Sequence, residues 1–310
     1  MFPIIPANTA AASFPENDEG IFSYGSPSVD VSNLVSNVGV IATDVAGVGT
    51  FRWYLAACEY GGDKAIIGFG FSSGPSTNHS LSNLVSNAGV IATDTAGVGT
   101  ARRALTACSF GEDKGIFGYG TTDGSTRLSM TNLVSNAGVV ATDTAGVGTA
   151  RLLPAACEFG GDKAIFGFGE SGSATNTAVT NLVSNVGVVG TDVAGVGTAR
   201  AYLAACSYGG DKGIFGFGSP SYPTYVSITN LVSNAGVVAS DTAGVGTVRG
   251  RLAACEFGGD KAIFGFGEIT SLDSGSVTAI TSLVSNAGVV ASDTAGVGTA
   301  RQYIAGCSFN

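Results

Sequence analysis

Six cysteines recur at intervals of about fifty residues, and their spacing limits the chemistry they can support. They are Cys58, Cys108, Cys157, Cys206, Cys255 and Cys307. Structural zinc sites need four ligands within tetrahedral reach, and the sequence contains no Cys-X-X-Cys pair. Disulfides need two cysteines with close Cα atoms, which one cysteine per repeat does not indicate. We therefore predict reduced thiols that act as small buried hydrophobes, and no metal site.

Six arginines form a second repeated set, each eight residues after an Asp and six residues before a Cys. They are Arg52, Arg102, Arg151, Arg200, Arg249 and Arg301. A ring of such charges around a channel mouth would suit an anionic ligand. Alternatively, each arginine bonds carbonyl or carboxylate groups of its own or a neighbouring repeat. Because every copy carries both the Asp and the Arg, the second interpretation, in which the arginine stabilises the structure, is favoured.

Residues for catalysis are scarce. His79, the single histidine, lies in a Ser/Asn-rich loop with no evident partner. A nucleophile with its base, or an acid–base pair, would need residues that depart from the repeat. The Gly-Val-Gly and Gly-Phe-Gly elements precede no helix that could hold a phosphate at its N-terminus. We expect a protein that is not an enzyme and uses no cofactor.

The elements that must position these residues are set by an internal repeat. The sequence Leu-Val-Ser-Asn begins at Leu34, Leu84, Leu133, Leu182, Leu231 and Leu283. In one copy, short β-branched or aromatic runs bounded by Gly, Asn and Asp predict strands over 151–158, 164–169, 179–184 and 187–192. The segment 160–163, Gly-Gly-Asp-Lys, predicts a tight hairpin. No run has the periodicity of a helix.

Six four-stranded units of about fifty residues predict an all-β, six-bladed β-propeller with antiparallel blades. Residues 301–309 read as a first strand without a second, and residues 20–25 as a second strand without a first. Pairing them would close the ring and leave no unpaired inner edge. The expected organisation is an extended N-terminal arm over 1–19 and a propeller over 20–310. One blade would be shared between 20–50 and 300–310.

Composition excludes several classes of function. Only 12% of the 310 residues are charged and the net charge is −9, with no basic stripe for nucleic-acid binding. No stretch approaches 18 uninterrupted apolar residues, so membrane insertion is not expected. The first residues lack a basic segment ahead of an apolar block, so no signal peptide is expected.

The order of elements resembles that of kelch repeats. Each copy runs from Arg through an apolar strand and a Gly-Gly-Asp-Lys hairpin to an Ile-Phe-Gly-Phe-Gly strand. The resemblance implies that residues 52–58 and their equivalents line a central channel and that the Val-Val-Ala-Thr-Asp runs are outermost. The chain departs from kelch in having Gly-Phe-Gly for the adjacent glycines. It also lacks the Tyr and Trp of the outer half of a kelch blade.

The near-identical copies, with Pro-Ile-Ile-Pro-Ala-Asn at residues 3–8, also resemble propeller proteins encoded by tailed bacteriophages. This resemblance implies a structural or interaction protein of the virion, made in the host cytoplasm and associated with the tail or baseplate, with host recognition as a further role. Capsid decoration and a free glycan- or ligand-binding propeller of lectin type are the alternatives.

Two regions depart from the repeat and are candidates for binding. The segments 71–80, 121–129, 170–178, 219–226 and 268–278 vary in length and composition, as binding loops on a rigid scaffold do. They carry the candidate contacts Asn78, His79, Arg127, Tyr222, Tyr225 and Asp273. The arm carries the apolar residues Phe2, Ile4, Ile5 and Phe14.

Through the arm or the ring faces, the expected partners are other virion proteins, with a host-surface glycan or protein as a further partner. Solvated loops without a binding role and a mobile terminal tail are the alternatives for the two regions.

Overall fold

The computed structural model describes residues 18–27, 29–269 and 276–309. The arm candidates Phe2, Ile4, Ile5 and Phe14 and the loop candidate Asp273 lie outside these residues. The regular elements of the described residues are all β-strands. Within that part of the chain, no helix is long and apolar enough to cross a membrane.

Eighteen of the strands form six three-stranded antiparallel sheets, one for each repeat. The inner strands are Ala56–Tyr60, Thr106–Phe110, Ala155–Phe159, Ala204–Tyr208, Ala253–Phe257 and Ala305–Phe309. The middle strands are Lys64–Gly68, Lys114–Gly118, Lys163–Gly167, Lys212–Gly216, Lys261–Gly265 and Glu19–Ser23. The outer strands are Ser82–Val85, Thr131–Val134, Thr180–Val183, Thr229–Val232, Thr281–Val284 and Ser32–Val35. Two short ribbons pair Phe71–Ser73 with Ser76–Asn78 and Glu170–Gly172 with Thr175–Asn176.

The middle strand of each sheet is buried on both faces, which explains its unbroken apolar run. In one sheet Ile165 lies opposite Cys157 on the inner side and Leu182 on the outer side. The predicted hairpin is present between the inner and middle strands. Gly160 and Gly161 turn the chain there at φ +66° and +75°, values that glycine adopts without steric cost.

The inner strands pack side by side in a closed ring. Each contacts the next in chain order, and the last, Ala305–Phe309, contacts the first, Ala56–Tyr60. The sheet that closes the ring combines both ends of the described chain, with Ile21 opposite Cys307. Repeated antiparallel sheets around a closed inner ring give an all-β, propeller-like fold.

Two of the four strands predicted for the copy at 151–192 differ from the structure by more than two residues. The predicted strand over 151–158 begins only at Ala155, because Leu153 has a positive φ of 56° that interrupts the extended chain. The predicted fourth strand over 187–192 is not regular. That segment meets the outer strand through two isolated bridges, Val183 to Val189 and Thr180 to Val193. Its Gly-rich sequence is a poor former of continuous strand.

Candidate interaction site

The repeated arginines lie between sheets and do not line the central channel, which corrects the placement implied by the kelch resemblance. All six are fully buried. The Nε of Arg200 donates to the Phe217 carbonyl at 2.8 Å and its Nη2 donates to Asn230 Oδ1 at 2.7 Å. Its guanidinium lies 4.4 Å from the ring centre of Phe168 in the preceding repeat. The arginine therefore joins one sheet to the next and is not available to a ligand.

The repeated aspartates are equally engaged. The carboxylate of Asp192 accepts hydrogen bonds from the Thr149 backbone nitrogen and hydroxyl and from Asn181 Nδ2. Burial alone would raise the pKa of Asp192, but these hydrogen bonds outweigh it and lower the pKa. The carboxylate thus holds the chain as it passes between two repeats.

Three cavities follow one another along the central channel. Their volumes are about 80, 110 and 50 Å³, from the end at Tyr54 and Tyr303 to the end at Glu158. A water molecule needs about 10–15 Å³ of such space, whereas pockets for organic ligands measure about 300–1,000 Å³. Each of the three cavities therefore has room for waters and is smaller than an ordinary ligand pocket.

The cysteines lie on the inner strands, where all six are buried and unpaired. Burial raises the pKa of the Cys58 thiol, which disfavours the reactive thiolate. Across the described ranges, His, Cys, Asp and Glu side chains do not gather in groups of three or more that could hold a metal ion.

The residue after each cysteine alternates around the channel. It is Glu59, Ser109, Glu158, Ser207, Glu256 and Ser308 in successive repeats. The Ser109 hydroxyl donates to Glu158 Oε2 at 2.6 Å. Burial, in spite of this hydrogen bond, raises the pKa of Glu158 to about 8. We call this end of the ring, which carries the Asp-Lys hairpins, the hairpin face.

The opposite end, where the variable segments leave the middle strands, is the loop face. Around the channel mouth lies one residue per repeat with φ between 54° and 60°, two positions after each repeated arginine. These mouth residues are Tyr54, Ala104, Leu153, Tyr202, Arg251 and Tyr303. Five backbone hydrogen bonds link them in sequence, such as Ala104 N to the Tyr54 carbonyl at 3.0 Å. A left-handed backbone is uncommon for residues other than glycine, and here the hydrogen-bonded ring fixes it.

Arg251 is the centre of a cluster that only one repeat possesses. Its guanidinium carbon lies 5.0, 5.0 and 4.8 Å from the ring centres of Tyr202, Tyr222 and Tyr303. Its Nη1 forms an ion pair with Glu268 Oε2 at 2.5 Å. The Tyr225 hydroxyl donates to the same carboxylate oxygen at 2.5 Å. The cluster is therefore held together by contacts among its own side chains.

Its exposed surface is aromatic. Tyr222 is 52% exposed, and its ring lies 6.3 Å from that of Tyr202. Tyr202 lies 6.3 Å from Tyr303, which in turn lies 3.8 Å from Tyr54. The four rings form a continuous arc from a variable loop across the channel mouth. We call them the tyrosine arc.

The electrostatics of the cluster favour a fixed positive charge. Burial would lower the pKa of Arg251, but Tyr303, Tyr225 and Glu268 outweigh it and raise the pKa. The Arg251 side chain is 11% exposed, and none of the described residues accepts a hydrogen bond from its buried Nε. Burial is also the main reason that the pKa of Tyr202 rises to about 12, so its hydroxyl is a donor at neutral pH.

A smaller aromatic group lies on the repeat that follows Tyr54. The Trp53 and Phe71 rings are 5.5 Å apart, and the Arg103 guanidinium lies 4.4 Å from the Phe71 ring centre. Asn78 accepts from Arg103 at 3.3 Å and donates to the Thr122 carbonyl. This group gives the loop face a second aromatic and cationic patch.

The described structure is similar to one of the solved structures, that of YjhT. The TM-score is 0.65, the identity is 11%, and the match covers 89% of this chain and 94% of that chain. The chain has a propeller-like fold. At this identity the likeness carries the fold alone. No protein-family description matches the sequence, and no curated protein matches it.

The structure brings some of the candidate contacts together and separates others. Tyr222 and Tyr225 both belong to the Arg251 cluster, but Tyr225 is buried and supports the site from within. His79 is part-buried, with Nε2 2.8 Å from the Ser72 hydroxyl, and burial lowers its pKa. Arg127 pairs with Glu170 on a separate part of the loop face.

Sequence reasoning missed the centre of this cluster, Arg251 and Glu268, and three of the four rings of the tyrosine arc. The signal was present in the two residues after each repeated arginine. They read Trp-Tyr, Arg-Ala, Leu-Leu, Ala-Tyr, Gly-Arg and Gln-Tyr, whereas the positions around them repeat closely. Variation at a repeated position next to a strict one marks a second variable region of the ring.

Proposed function

We propose that this chain is a non-enzymatic interaction protein that binds a partner macromolecule through its loop face. The observation that carries the proposal is the Arg251 cluster, where the repeat is broken by an ion pair and by a tyrosine arc whose outermost ring, Tyr222, is exposed. Tyr, Trp and Arg dominate the binding energy of protein interfaces. Tyrosine supplies a rigid contact surface at low cost in conformational entropy.

The shape of the ring favours a macromolecule over a small ligand. The channel cavities are about 50–110 Å³, below the size of ordinary ligand pockets. The contact surface is instead the rim of the channel mouth and the loops around it. A partner would lie across the tyrosine arc, with Arg251 and Glu268 beneath it as hydrogen-bonding groups.

The finer architecture forms part of the proposal. We take each three-stranded sheet with the segment that follows its outer strand as one blade, which gives six four-stranded blades of kelch-like order. Six sheets in ring order and two bridges per following segment support this count. The rigid ring would then serve to hold variable loops in fixed positions.

We place the protein in a bacteriophage virion, attached to the tail or baseplate. The support is the tandem copy sequence and the segment at residues 3–8. In this proposal the apolar arm docks onto another virion protein and the loop face contacts a neighbour or the host surface. Capsid decoration is the alternative position in the particle.

A free glycan-binding propeller is the second candidate function, and the tyrosine arc favours it specifically. Flat aromatic rings next to planar polar side chains suit a sugar, whose carbon–hydrogen face packs on the ring. Gln302 Oε1 accepts from Arg251 at 3.1 Å and provides such a neighbour, together with Glu268.

The test compares capture by the full chain and by two variants. Tagged protein is offered to proteins from disassembled virions and, in parallel, to an array of bacterial surface glycans. Tyr222→Ala removes the most exposed ring of the arc. Lys163→Ala, on the hairpin face, is the matched control because it removes a similarly exposed side chain, 46% against 52%, from the opposite end.

We expect the wild type and Lys163→Ala to capture the same virion protein and Tyr222→Ala to lose at least about tenfold in affinity, as for an interface hot spot. Binding to the glycan array with the same dependence on Tyr222 would establish the lectin alternative. If Tyr222→Ala binds as well as the wild type while Lys163→Ala fails, the loop face is not the binding surface.

A further inference from the structure

The variable segments of the loop face contact one another in chain order. One residue near the end of a segment reaches the start of the segment in the next repeat. The contacts are Asn78 with the Thr122 carbonyl, Arg127 with Glu170, Asn176 with the Ser219 and Pro220 carbonyls, and Tyr225 with Glu268. We call the four donors, Asn78, Arg127, Asn176 and Tyr225, the clasp residues.

The clasp residues occupy one equivalent position of the repeat. Each directly precedes a residue whose backbone nitrogen donates to the second glycine of the Gly-(Phe/Tyr)-Gly run. These hydrogen bonds, at 2.8–2.9 Å, run from His79 to Gly70, Leu128 to Gly120, Thr177 to Gly169 and Val226 to Gly218. The backbone thus sets the clasp residue at the same place in each repeat. Segment 268–278 closes in the same way through Thr278, but there the position carries Val277, whose side chain has no donor.

Two kinds of clasp alternate along the chain. The short amides of Asn78 and Asn176 donate to backbone carbonyls, whereas the longer side chains of Arg127 and Tyr225 reach a glutamate. The first residue of a variable segment is Glu in the two segments that an Arg or Tyr clasp reaches, and Phe, Thr or Ser in the others. The donor and its acceptor therefore change together, which indicates a contact that the loop face uses in each repeat.

Tyr222 lies at the exposed tip of its segment, between two clasp contacts. Residues 221–224 are all exposed, and Thr224 N donates to the Ser221 carbonyl at 2.7 Å to close the tip as a turn. Consecutive exposed residues are weakly held unless the chain on either side is fixed. The residues before and after the tip therefore determine where the Tyr222 ring lies.

Asn176 fixes the chain before the tip. Its Nδ2 donates to the Ser219 carbonyl and to the Pro220 carbonyl, both at 2.9 Å. Because both neighbours are acceptors, the nitrogen of the amide is the atom that faces them. The Ser219 carbonyl also accepts from Ala201 N at 3.0 Å. The clasp therefore extends a contact that already ties this segment to the ring.

Tyr225 fixes the chain after the tip. Its ring is buried against the backbone of the next repeat, where a Cβ added to Gly250 would lie only 2.4 Å from Tyr225 Cε1. Its hydroxyl donates to Glu268, which also pairs with Arg251. The other five repeats carry Trp, Arg, Leu, Ala and Gln at the position of Gly250. The glycine is thus explained by the room that the Tyr225 ring takes.

We propose that Asn176 and Tyr225 are positioning residues, which hold Tyr222 in place for the partner of the loop face. The inference rests on the proposed function, in which Tyr222 contacts that partner. It gives Asn78, Arg127 and Tyr225, which the sequence marked as candidate contacts, the role of joining loops. Preorganised loops lose less conformational entropy on binding, so the clasps make five variable segments into one preorganised surface.

The test is backbone hydrogen exchange of the full chain, measured by NMR with the Thr224 amide as the reporter of the tip. Asn176→Asp keeps the shape of the side chain but replaces the donor with a carboxylate oxygen, which the two carbonyls repel. We expect exchange at Thr224 to quicken by about tenfold, for the loss of two hydrogen bonds. Asn176→Gln keeps an amide donor and should restore most of the protection. Ser173→Ala, at an exposed position of the same segment, is the matched control and should exchange as the wild type does.

The place of the change separates a positioning role from a general contribution to stability. The amide of Leu128, which closes another segment by its bond to Gly120, should keep its exchange rate in Asn176→Asp. Tyr225→Phe removes only the hydroxyl and should also quicken exchange at Thr224. Equal acceleration at Leu128 and Thr224 in Asn176→Asp, or no acceleration at Thr224, overturns the proposal.

Capture of proteins from disassembled virions gives the second readout. If Asn176 acts through Tyr222, Asn176→Asp weakens capture by itself, but Asn176→Asp/Tyr222→Ala binds no worse than Tyr222→Ala alone. Additive losses would place Asn176 in contact with the partner and contradict the positioning role. If Tyr222→Ala leaves capture unchanged, the proposed function fails, whereas the exchange measurement still decides whether the clasps hold the tip.

Discussion

Replacing a buried inter-sheet arginine should cost much more than a typical substitution. In Arg200→Met the chain keeps a side chain of similar length but loses the guanidinium. Three hydrogen bonds disappear: to the Phe217 carbonyl at 2.8 Å, the Thr198 carbonyl at 3.0 Å and Asn230 Oδ1 at 2.7 Å. The stacking on Phe168 is lost as well.

The size of this cost follows from the hydrogen bonds that are lost and from the acceptors that stay buried without a donor. Hydrogen bonds to charged groups contribute about 1.5–3 kcal/mol each, and a buried acceptor left without a donor costs about 1–3 kcal/mol. These values do not add fully within one network. Methionine recovers some packing against Phe168. Since breaking a buried charged pair typically costs about 3–5 kcal/mol, we expect Arg200→Met to lower the free energy of unfolding by about 4 kcal/mol.

Arg249 provides a matched comparison within the same chain. It is just as buried and stacks on Phe217 at 4.3 Å. Its repeat has Ser282 where Arg200 has an asparagine partner, and its guanidinium donates to Ser282 Oγ at 2.9 Å, to Asp293 Oδ1 at 3.2 Å and to the Phe264 carbonyl at 3.4 Å. Arg249→Met therefore loses as many charge-assisted hydrogen bonds as Arg200→Met, and should also lower the free energy of unfolding by about 4 kcal/mol.

Urea unfolding followed by Trp53 fluorescence and circular dichroism measures both costs. The difference in the urea midpoint, multiplied by the m value that the proteins share, gives the change in free energy of unfolding. The key result is whether the two variants agree. If Arg249→Met lowers the free energy of unfolding by much less than Arg200→Met, although it loses as many hydrogen bonds, the hydrogen-bond accounting is wrong.

Three further substitutions test other parts of the ring by the same unfolding measurement. Ser282→Asn gives Arg249 the asparagine partner that Arg200 has, and should raise the free energy of unfolding by about 1 kcal/mol. A lower free energy of unfolding would contradict the view that Ser282 is the weaker partner. Gly167→Ala would place a Cβ 2.8 Å from the Phe215 ring and should cost about 1–3 kcal/mol by overpacking, a penalty that should shrink in combination with Phe215→Leu. Glu158 has a folded pKa of about 8, above its ordinary value of 4.5. The folded state therefore holds the proton more tightly, and the resulting stability is complete below pH 4.5 and is lost as the pH rises through 8. Glu158→Gln should flatten the fall in stability between pH 4.5 and 8, and equal slopes in both proteins would refute the assignment.

The strands and the hairpin could be predicted from the sequence because each follows from local chemistry. The run Ala-Ile-Phe between Lys163 and Gly167 is short, apolar and closed by glycine, and Gly160 and Gly161 mark the turn. The predicted start of the inner strand at Arg151 was wrong because the left-handed φ of Leu153 is imposed by the mouth ring. That conformation depends on hydrogen bonds between repeats, which a single run of residues does not show.

The binding residues were predicted only in part for a related reason. Tyr222 stands out because its loop departs from the repeat. Arg251 and Tyr303 lie at positions whose neighbours repeat, and they meet only because the ring brings distant repeats to one mouth. Glu268 occurs in a variable loop, but its role depends on Arg251 and Tyr225 from two other parts of the chain. Such a cluster is a property of ring closure.

The surfaces of this ring differ in symmetry, and that difference determines what each can bind. The buried arginines follow the full sixfold repeat, and the Glu/Ser residues of the channel alternate with threefold symmetry. The Arg251 cluster occurs once, because no other repeat has an arginine at its mouth position. A partner bound there would therefore bind one per ring, and titration of the wild type should give a stoichiometry of one.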